Sequence, residues 1–321
     1  MPLQDDTAVA LERVQDLWFP DATFILRAEN KLFRVYKHIL GARSPVFRDM
    51  ASFPQPATPE GDTVDGIPVV RLHDGGADAE VFLRAIFDSS FFMPSPAATD
   101  FPIIIGVMRL SHKYDVSYLF RRALSHLESM YQHTLPELQD FCMGRTESHV
   151  SYFSSVDTDL ITVREVSQVG ALWMLPAAYY AVCEVSSKKF LASEVWSALT
   201  TDEQQTCLKS QVEFVRATVS AHNFLRSLPA QACEGECSRM VSEALTALSS
   251  WGKIDRDLDP LGPWVLHKDG DDQLCSECMR YAAAAYGKVQ LEFWNSLPDI
   301  LGLPGWNELK QMRRAVMEDA P

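Results

Sequence analysis

The segment DATFILRAENKLFRVY, residues 21 to 36, contains two short runs of β-branched and aromatic residues on either side of Glu29-Asn30. Such runs around a polar pair predict a β-hairpin. The hairpin leads directly into a predicted short helix from Lys37 to about Arg43. Ser44-Pro45 suits the start of the next helix, because serine caps helices and proline fits the first helical position.

The remaining patterns divide the chain into a mixed part and a helical part. A further strand, IPVVRL, is predicted at 67 to 72, and helical spacing is found at 8 to 17, at 79 to 91 and twice within 103 to 130. After Pro136 the strand signals fade and helical spacing dominates. We therefore predict an α+β fold with an N-terminal helix or tail (1–18), a small sheet flanked by helices (19–135) and an all-α domain (136–321).

Composition excludes several classes of function. The 321 residues carry a formal net charge of −14, which disfavours direct binding to nucleic acid or to an anionic membrane. The first residues lack the basic and apolar regions of a signal peptide, and the seven cysteines are an odd number, so reduced thiols inside a cell are expected. We expect a cytoplasmic or nuclear protein.

Several ordered segments resemble the BTB/POZ family. Its pattern of a strand, then "F-x-aliphatic-His-Lys-x-x-Leu", then "Ser-x-x-Phe", is matched in order by eight residues: Asp21, Phe24, Phe33, Val35, Lys37, Leu40, Ser44 and Phe47. The stretches VVRLHDGGADAEVFLRAIFDSSF and MRLSHKYDVSYLFRRALSHL resemble the third strand and the later helices of the family. With LPAAYY at 175 to 180 and EFWNSLPDILGLPGWNEL at 292 to 309, the chain is similar to BTB proteins of mushroom-forming fungi.

The resemblance implies a protein-interaction module. Such domains pair through an apolar face and an N-terminal helix, and some dock onto cullin-type ubiquitin ligase scaffolds. The residues expected to present an apolar stripe to a partner, or else to cover their own domain, are Val9, Leu11, Val14, Leu17 and Trp18. Cullin docking in related families often uses an apolar residue followed, two positions later, by a glutamate. The stretch DMASFPQPATPE, residues 49 to 60, has no glutamate at that spacing.

Two cysteine pairs indicate a structural zinc site. Cys233 and Cys237 are separated by three residues, and Cys275 and Cys278 by two. Four thiolates can hold one zinc ion in a closed tetrahedron, which would clip two distant segments together. Ordinary reduced cysteines are the alternative, and His267 is a possible replacement for one ligand. The acidic surroundings disfavour a zinc module that reads DNA.

No sequence pattern indicates catalysis. The chain has no glycine-rich phosphate loop, no Gly-x-Ser-x-Gly and no His-Glu-x-x-His. His73-Asp74 and the run from His112 to Asp115 are expected to be surface or structural groups. We therefore expect a non-enzymatic adaptor that binds other proteins, with a homodimer as one form. The alternatives are a substrate receptor of a cullin-type ligase and a transcriptional co-regulator that acts by recruiting proteins.

Overall fold

The chain forms a small sheet with flanking helices, followed by a set of helices. The computed structural model describes residues 10–52, 63–146, 148–152, 154–221, 223–227, 236–249, 259–262 and 274–318. The chain divides into two compact units. The first unit comprises residues 1–129 and 149–152, and the second comprises residues 130–148 and 153–321. The predicted mixed class, with helices after the sheet, is confirmed at this level.

The first unit is built on a five-stranded sheet in the order β1-β3-β2-β5-β4. Its strands are β1 (Glu12–Trp18), β2 (Phe24–Ala28), β3 (Lys31–Val35), β4 (Thr63–Val64) and β5 (Ile67–Leu72). The predicted hairpin is the antiparallel pair β2–β3, and Glu29 begins its turn with a φ of 51°. A second tight turn, Asp65-Gly66, has positive φ at both residues and joins β4 to β5.

Five helices accompany this sheet. They are α1 (Lys37–Arg43), α2 (Pro45–Ser52), α3 (Gly76–Phe87), α4 (Phe101–Lys113) and α5 (Ser117–Glu128). A two-stranded sheet joins β6 (Thr99–Asp100) to β7 (Val150–Ser151). Ser44 lies between α1 and α2, and its hydroxyl accepts a hydrogen bond from the backbone N–H of Phe47 at 3.0 Å. The predicted helix start at Ser44-Pro45 is thus confirmed.

The predicted N-terminal helix over 8 to 17 is wrong, because the segment Glu12–Trp18 forms β1, which runs parallel to β3. The pairing register shifts between Arg13 and Trp18, so the two buried side chains, Val14 and Leu17, lie three positions apart instead of two. A register irregularity of this kind gives a strand the apolar spacing of a helix. The sheet therefore has more than the three predicted strands, with β1 and β4 at its edges.

Four residues from the segments that resemble the BTB/POZ family, Ser44, Phe47, Phe82 and Tyr114, lie in one buried cluster. The ring of Phe47 stacks on Tyr114 with centroids 4.4 Å apart, and the ring of Phe82 lies 5.7 Å from that of Tyr114. The Ser44 hydroxyl donates a hydrogen bond to the Tyr114 carbonyl at 2.5 Å. Segments that are separate in the sequence are thereby joined, so these residues hold the fold together.

All the described elements of the second unit are helical. They are α6 (Leu135–Cys142), α7 (Ser155–Gln168), α8 (Leu175–Glu184), α9 (Ser187–Leu191), α10 (Thr201–Ala221), α11 (Glu236–Ser249), α12 (Ser276–Ile300), α13 (Trp306–Met317) and three short 3-10 helices at Leu172–Met174, Glu194–Ala198 and Asn223–Ser227. Helix α8 packs against α7 and α10, and α10 packs against α12. Within the described ranges, no helix is both long and apolar enough to cross a membrane.

Buried hydrogen bonds tie a short segment of the second unit to two helices. The hydroxyl of Tyr180, in α8, donates to Asp259 at 2.5 Å and accepts from the N–H of Leu261 at 3.1 Å. The side-chain amide of Gln290, in α12, donates to the carbonyls of Leu261 and Gly262 at 2.7 and 2.8 Å. Tyr180 and its neighbour Tyr179 are both buried.

The carboxyl group of Asp159, in α7, should make the stability of the chain depend on pH. It accepts a hydrogen bond from the Tyr131 hydroxyl at 2.8 Å, and burial raises its pKa to about 7. An unfolded aspartate has a pKa of about 3.9, so the fold favours the protonated form. The stabilisation from this group is complete below about pH 4 and is lost as the pH rises through about 7.

We therefore expect the free energy of unfolding to fall by roughly 1–3 kcal/mol from this group between pH 5 and pH 8. Asp159→Asn keeps the shape and an acceptor for Tyr131 but carries no charge. The variant should be more stable than the parent chain at pH 8, with a smaller gain at pH 5. Urea unfolding at both pH values measures this, and an equal difference at the two would contradict the assignment.

Candidate metal centre

Three of the four predicted zinc ligands come together at the beginnings of two helices. Cys237 is the second residue of α11, Cys275 immediately precedes α12, and Cys278 lies in the first turn of α12. Their sulfur atoms all lie within 4.8 Å of one another. The fourth predicted ligand, Cys233, lies outside the described residues, as does the alternative ligand His267.

Backbone N–H groups point at two of these sulfurs. The N–H of Cys275 donates to the Cys237 sulfur at 3.3 Å, and the N–H of Cys278 donates to the Cys275 sulfur at 3.5 Å. The first N–H groups of a helix have no partner within the helix, and together with the helix dipole they favour negative charge. The cluster therefore lies at the N-terminal ends of two helices.

Apolar side chains surround the cluster on its inner side. Cys237 and Cys278 are buried, whereas Cys275 is exposed. The buried residues packed in the same group are Leu225, Met240, Val241, Leu274, Ala282 and Tyr286. The thiols thus join the start of α11 to the start of α12 at the edge of a small apolar core.

The spacing of the three thiols is compatible with a tetrahedral ion. Zinc–sulfur bonds of about 2.3 Å place the sulfurs of a tetrahedral site about 3.8 Å apart. The separations within 4.8 Å exceed this by at most about 1 Å. Three sulfurs occupy three corners, so the cluster could hold a metal ion and needs one further ligand for a closed structural site.

The other cysteines lie apart from this cluster. Cys183 and Cys207 are buried, and the Cys183 thiol donates to the Cys207 carbonyl at 3.6 Å. This interaction with Cys207 and burial raise the pKa of the Cys183 thiol well above its ordinary value. Cys142 is exposed.

The ionisable pairs noted in the sequence form structural contacts in the first unit. Asp74 accepts hydrogen bonds from the ammonium group of Lys113 and from the hydroxyl of Tyr114, both at 2.5 Å. Burial, followed by the contact with Asp74, raises the pKa of Tyr114 far above its usual value, so this phenol stays protonated. Asp74 thereby ties the residues after β5 to the end of α4.

The four described residues of the expected partner-binding stripe do not share one exposed face. Val9 lies outside the described residues. Val14 and Leu17 belong to β1, and their side chains are buried in the first unit. Leu11 is 45% exposed, while Trp18 is half-buried with the Arg13 guanidinium 4.6 Å from its ring centre. Of the stripe, Leu11 and Trp18 remain accessible for contact with another protein.

A second feature of the helical unit was not predicted from the sequence. Trp294 and Trp306, which the sequence offered only as part of a family-like segment, stack on each other beside an open cleft. Two tryptophans twelve residues apart, separated by Pro-Asp, Leu-Gly and Pro-Gly pairs, are the signal that could have revealed it.

Comparisons of the sequence with protein-family models and with curated proteins found no match. The chemistry of the cysteine cluster therefore rests on the positions of its own thiols.

Proposed function

We propose that the chain is a non-enzymatic adaptor with a BTB/POZ-type first unit and a helical second unit. The first unit would supply a surface for self-association or docking, and the second would bind another protein. The observation that carries the proposal is the buried cluster of Ser44, Phe47, Phe82 and Tyr114, which joins the family-like segments in the order expected for such a domain. Reduced cysteines fit a cytoplasmic or nuclear location.

The second unit, in this proposal, is braced by a structural zinc ion. Cys237, Cys275 and Cys278 would be three ligands, and Cys233 the fourth. An ion held by both helix starts would fix α11 against α12 and add to the modest apolar core around them. The metal would act on folding and take no part in a reaction.

Self-association is expected to depend on the exposed end of β1. Because β1 is an edge strand, its outer side pairs with no other strand among the described residues and could pair with a second chain. Light scattering coupled to size-exclusion chromatography should give a mass above 36.1 kDa that rises with protein concentration. Leu11→Asp should shift the equilibrium toward monomer by about tenfold, because it places a charge at an apolar contact.

Leu191→Asp supplies the matched control, since Leu191 is a similarly exposed leucine of the second unit. It should leave the mass distribution unchanged. A strict monomer at all concentrations, or equal effects of the two substitutions, would contradict self-association through β1.

A cullin-type ligase receptor is the first alternative. Capture by an immobilised cullin scaffold would favour it. The segment after α2 has no glutamate at the spacing that cullin docking often uses, which predicts weak capture or none. A transcriptional co-regulator is the second alternative, and it would act by recruiting proteins because the net charge of −14 disfavours direct DNA contact. Capture of a co-repressor or co-activator without DNA binding would distinguish it.

A further inference from the structure

Helix α10 carries a row of exposed aliphatic side chains along one face. Its four members, called here the α10 seam, are Leu208, Val212, Val215 and Val219. Each is between 44% and 56% exposed. Another face of the helix packs inward, where the buried ring of Phe214 contacts rings of α8 and α12. Single exposed apolar residues are ordinary on a protein surface, but a continuous row of them marks a surface for another molecule.

The spacing of the α10 seam is that of a coiled coil. Its intervals of four, three and four residues repeat the a and d positions of a heptad, with Val212 and Val219 at a, and Leu208 and Val215 at d. A β-branched residue at a and leucine at d favour two parallel helices, and three of the four seam residues follow this preference. The seam therefore fits an α-helix with the same heptad pattern.

One flank of the seam is basic. The e positions of the heptad hold Lys209 and Arg216, one turn pair apart on the solvent side of the helix. Lys209 donates to the side chain of Gln205 at 3.3 Å, and Arg216 pairs with Glu213 at 2.5 Å. Exposed pairs of this kind within one helix contribute little to stability, so both cations are able to turn towards a partner.

The other flank has the opposite polarity. Its g positions include Gln211, whose side-chain amide donates to the carbonyls of Cys183 and Val185 at 3.4 and 2.8 Å. These carbonyls belong to the C-terminal end of α8, where the helix dipole places partial negative charge, and Glu184 lies between them in the sequence. The α10 seam is therefore bordered by cations on one side and by a helix C-terminus on the other.

We propose that the α10 seam binds the α10 seam of a second copy of this chain, with the two helices parallel and in register. In that arrangement each seam residue packs on its own counterpart, and the e positions of one copy face the g positions of the other. The basic flank of each copy thus meets the electronegative flank of its partner.

Other arrangements of two copies are less favourable. An antiparallel pair brings e against e, which places Lys209 opposite Arg216 of the other copy, and like charges in contact are repulsive. A parallel pair shifted by one heptad keeps only two of the four apolar layers. The inference goes beyond the proposed adaptor function, because it adds to β1 a separate contact between copies in the helical unit.

Light scattering on the full chain with Leu11→Asp, which disrupts the proposed β1 contact, isolates the α10 contact. We expect the mass to rise from 36.1 kDa towards twice that value, with a Kd of roughly 10 to 300 µM, because four apolar residues per copy make a small interface. Adding Val212→Asp should raise the Kd by about tenfold or more, since it buries a charge at the centre of the seam. Val212 is 53% exposed, so the substitution leaves the fold intact.

Cross-linking tests the parallel register directly. In the proposed pair, Val212→Cys places two thiols opposite each other, so oxidised glutathione should convert this variant into a disulfide-linked dimer on a non-reducing gel. Ser220→Cys supplies the matched control, because Ser220 is an exposed residue of α10 outside the seam, and it should cross-link no more than the parent chain. Equal cross-linking of the two variants, or none above the parent chain at about 500 µM, would overturn the proposal.

The outcome is separable from the proposed self-association through β1. A Leu11→Asp chain that stays at 36.1 kDa up to about 1 mM would overturn only the α10 contact. A chain whose association is abolished by Val212→Asp alone, and is unchanged by Leu11→Asp, would support the α10 contact and lose the β1 interface.

Discussion

If the proposed zinc site is present, replacing Cys278 by serine should remove the ion and destabilise the helical unit. Cys278 is 1% exposed, and its sulfur lies within 4.8 Å of those of Cys237 and Cys275. A hydroxyl is a poor zinc ligand, so the metal content should fall from about one ion per chain to near zero. The free energy of unfolding should decrease by at least about 3 kcal/mol, because binding of a structural metal contributes directly to folding.

Elemental analysis and urea unfolding measure the two parts of this result. Cys142→Ser is the matched control, since Cys142 is an exposed cysteine outside the cluster, and it should retain both zinc and stability. A chelator should reduce the stability of the unaltered chain, and added zinc should restore it. Protein purified without added metal that contains no zinc, with all its thiols freely reactive, would rule out the site.

Phe47→Ala is expected to destabilise the first unit by about 3–5 kcal/mol. Phe47 is 1% exposed, and its ring contacts Tyr114 and Phe82, so truncation would leave a cavity where three segments meet. The neighbouring Val46 is 37% exposed, and Val46→Ala should change stability by less than about 0.5 kcal/mol. Urea unfolding of both variants measures the contrast.

Similar small effects of the two substitutions would contradict the buried cluster. They would also remove the main support for a BTB/POZ-type unit, because that cluster joins the segments on which the resemblance depends.

Much of the local structure follows from short sequence signals. The Glu29-Asn30 turn and the Ser44-Pro45 helix start each have a backbone cause that acts over a few residues, and both are present. Such signals succeed because turns and caps satisfy their own hydrogen bonds locally.

The edges of the sheet could not be predicted in the same way. Val14 and Leu17 have helical spacing, and only the irregular pairing of β1 with β3 explains why both are buried in a strand. The two-residue strand β4 depends on its partner β5 for its existence. Both are tertiary effects that outweigh local pattern.

The candidate sites were also only partly predictable from the sequence. The two cysteine pairs predicted one zinc site, and three of its four ligands have their sulfurs within 4.8 Å of one another. The spacing did not show that these three sulfurs would meet at the starts of two helices. The stacking of Trp306 on Trp294 depends on a turn at Gly302, and no short motif encodes such a meeting of helices.

The length of helix α12 bears on whether substitutions at its two ends influence each other. It carries Cys278 in its first turn and Trp294 in its last third, and sixteen residues of helix at about 1.5 Å each separate them by about 24 Å. Perturbations this far apart, with no shared neighbour, are normally additive. A double substitution at both ends should therefore show the sum of the single losses, whereas a larger loss would reveal that the helix transmits strain along its length.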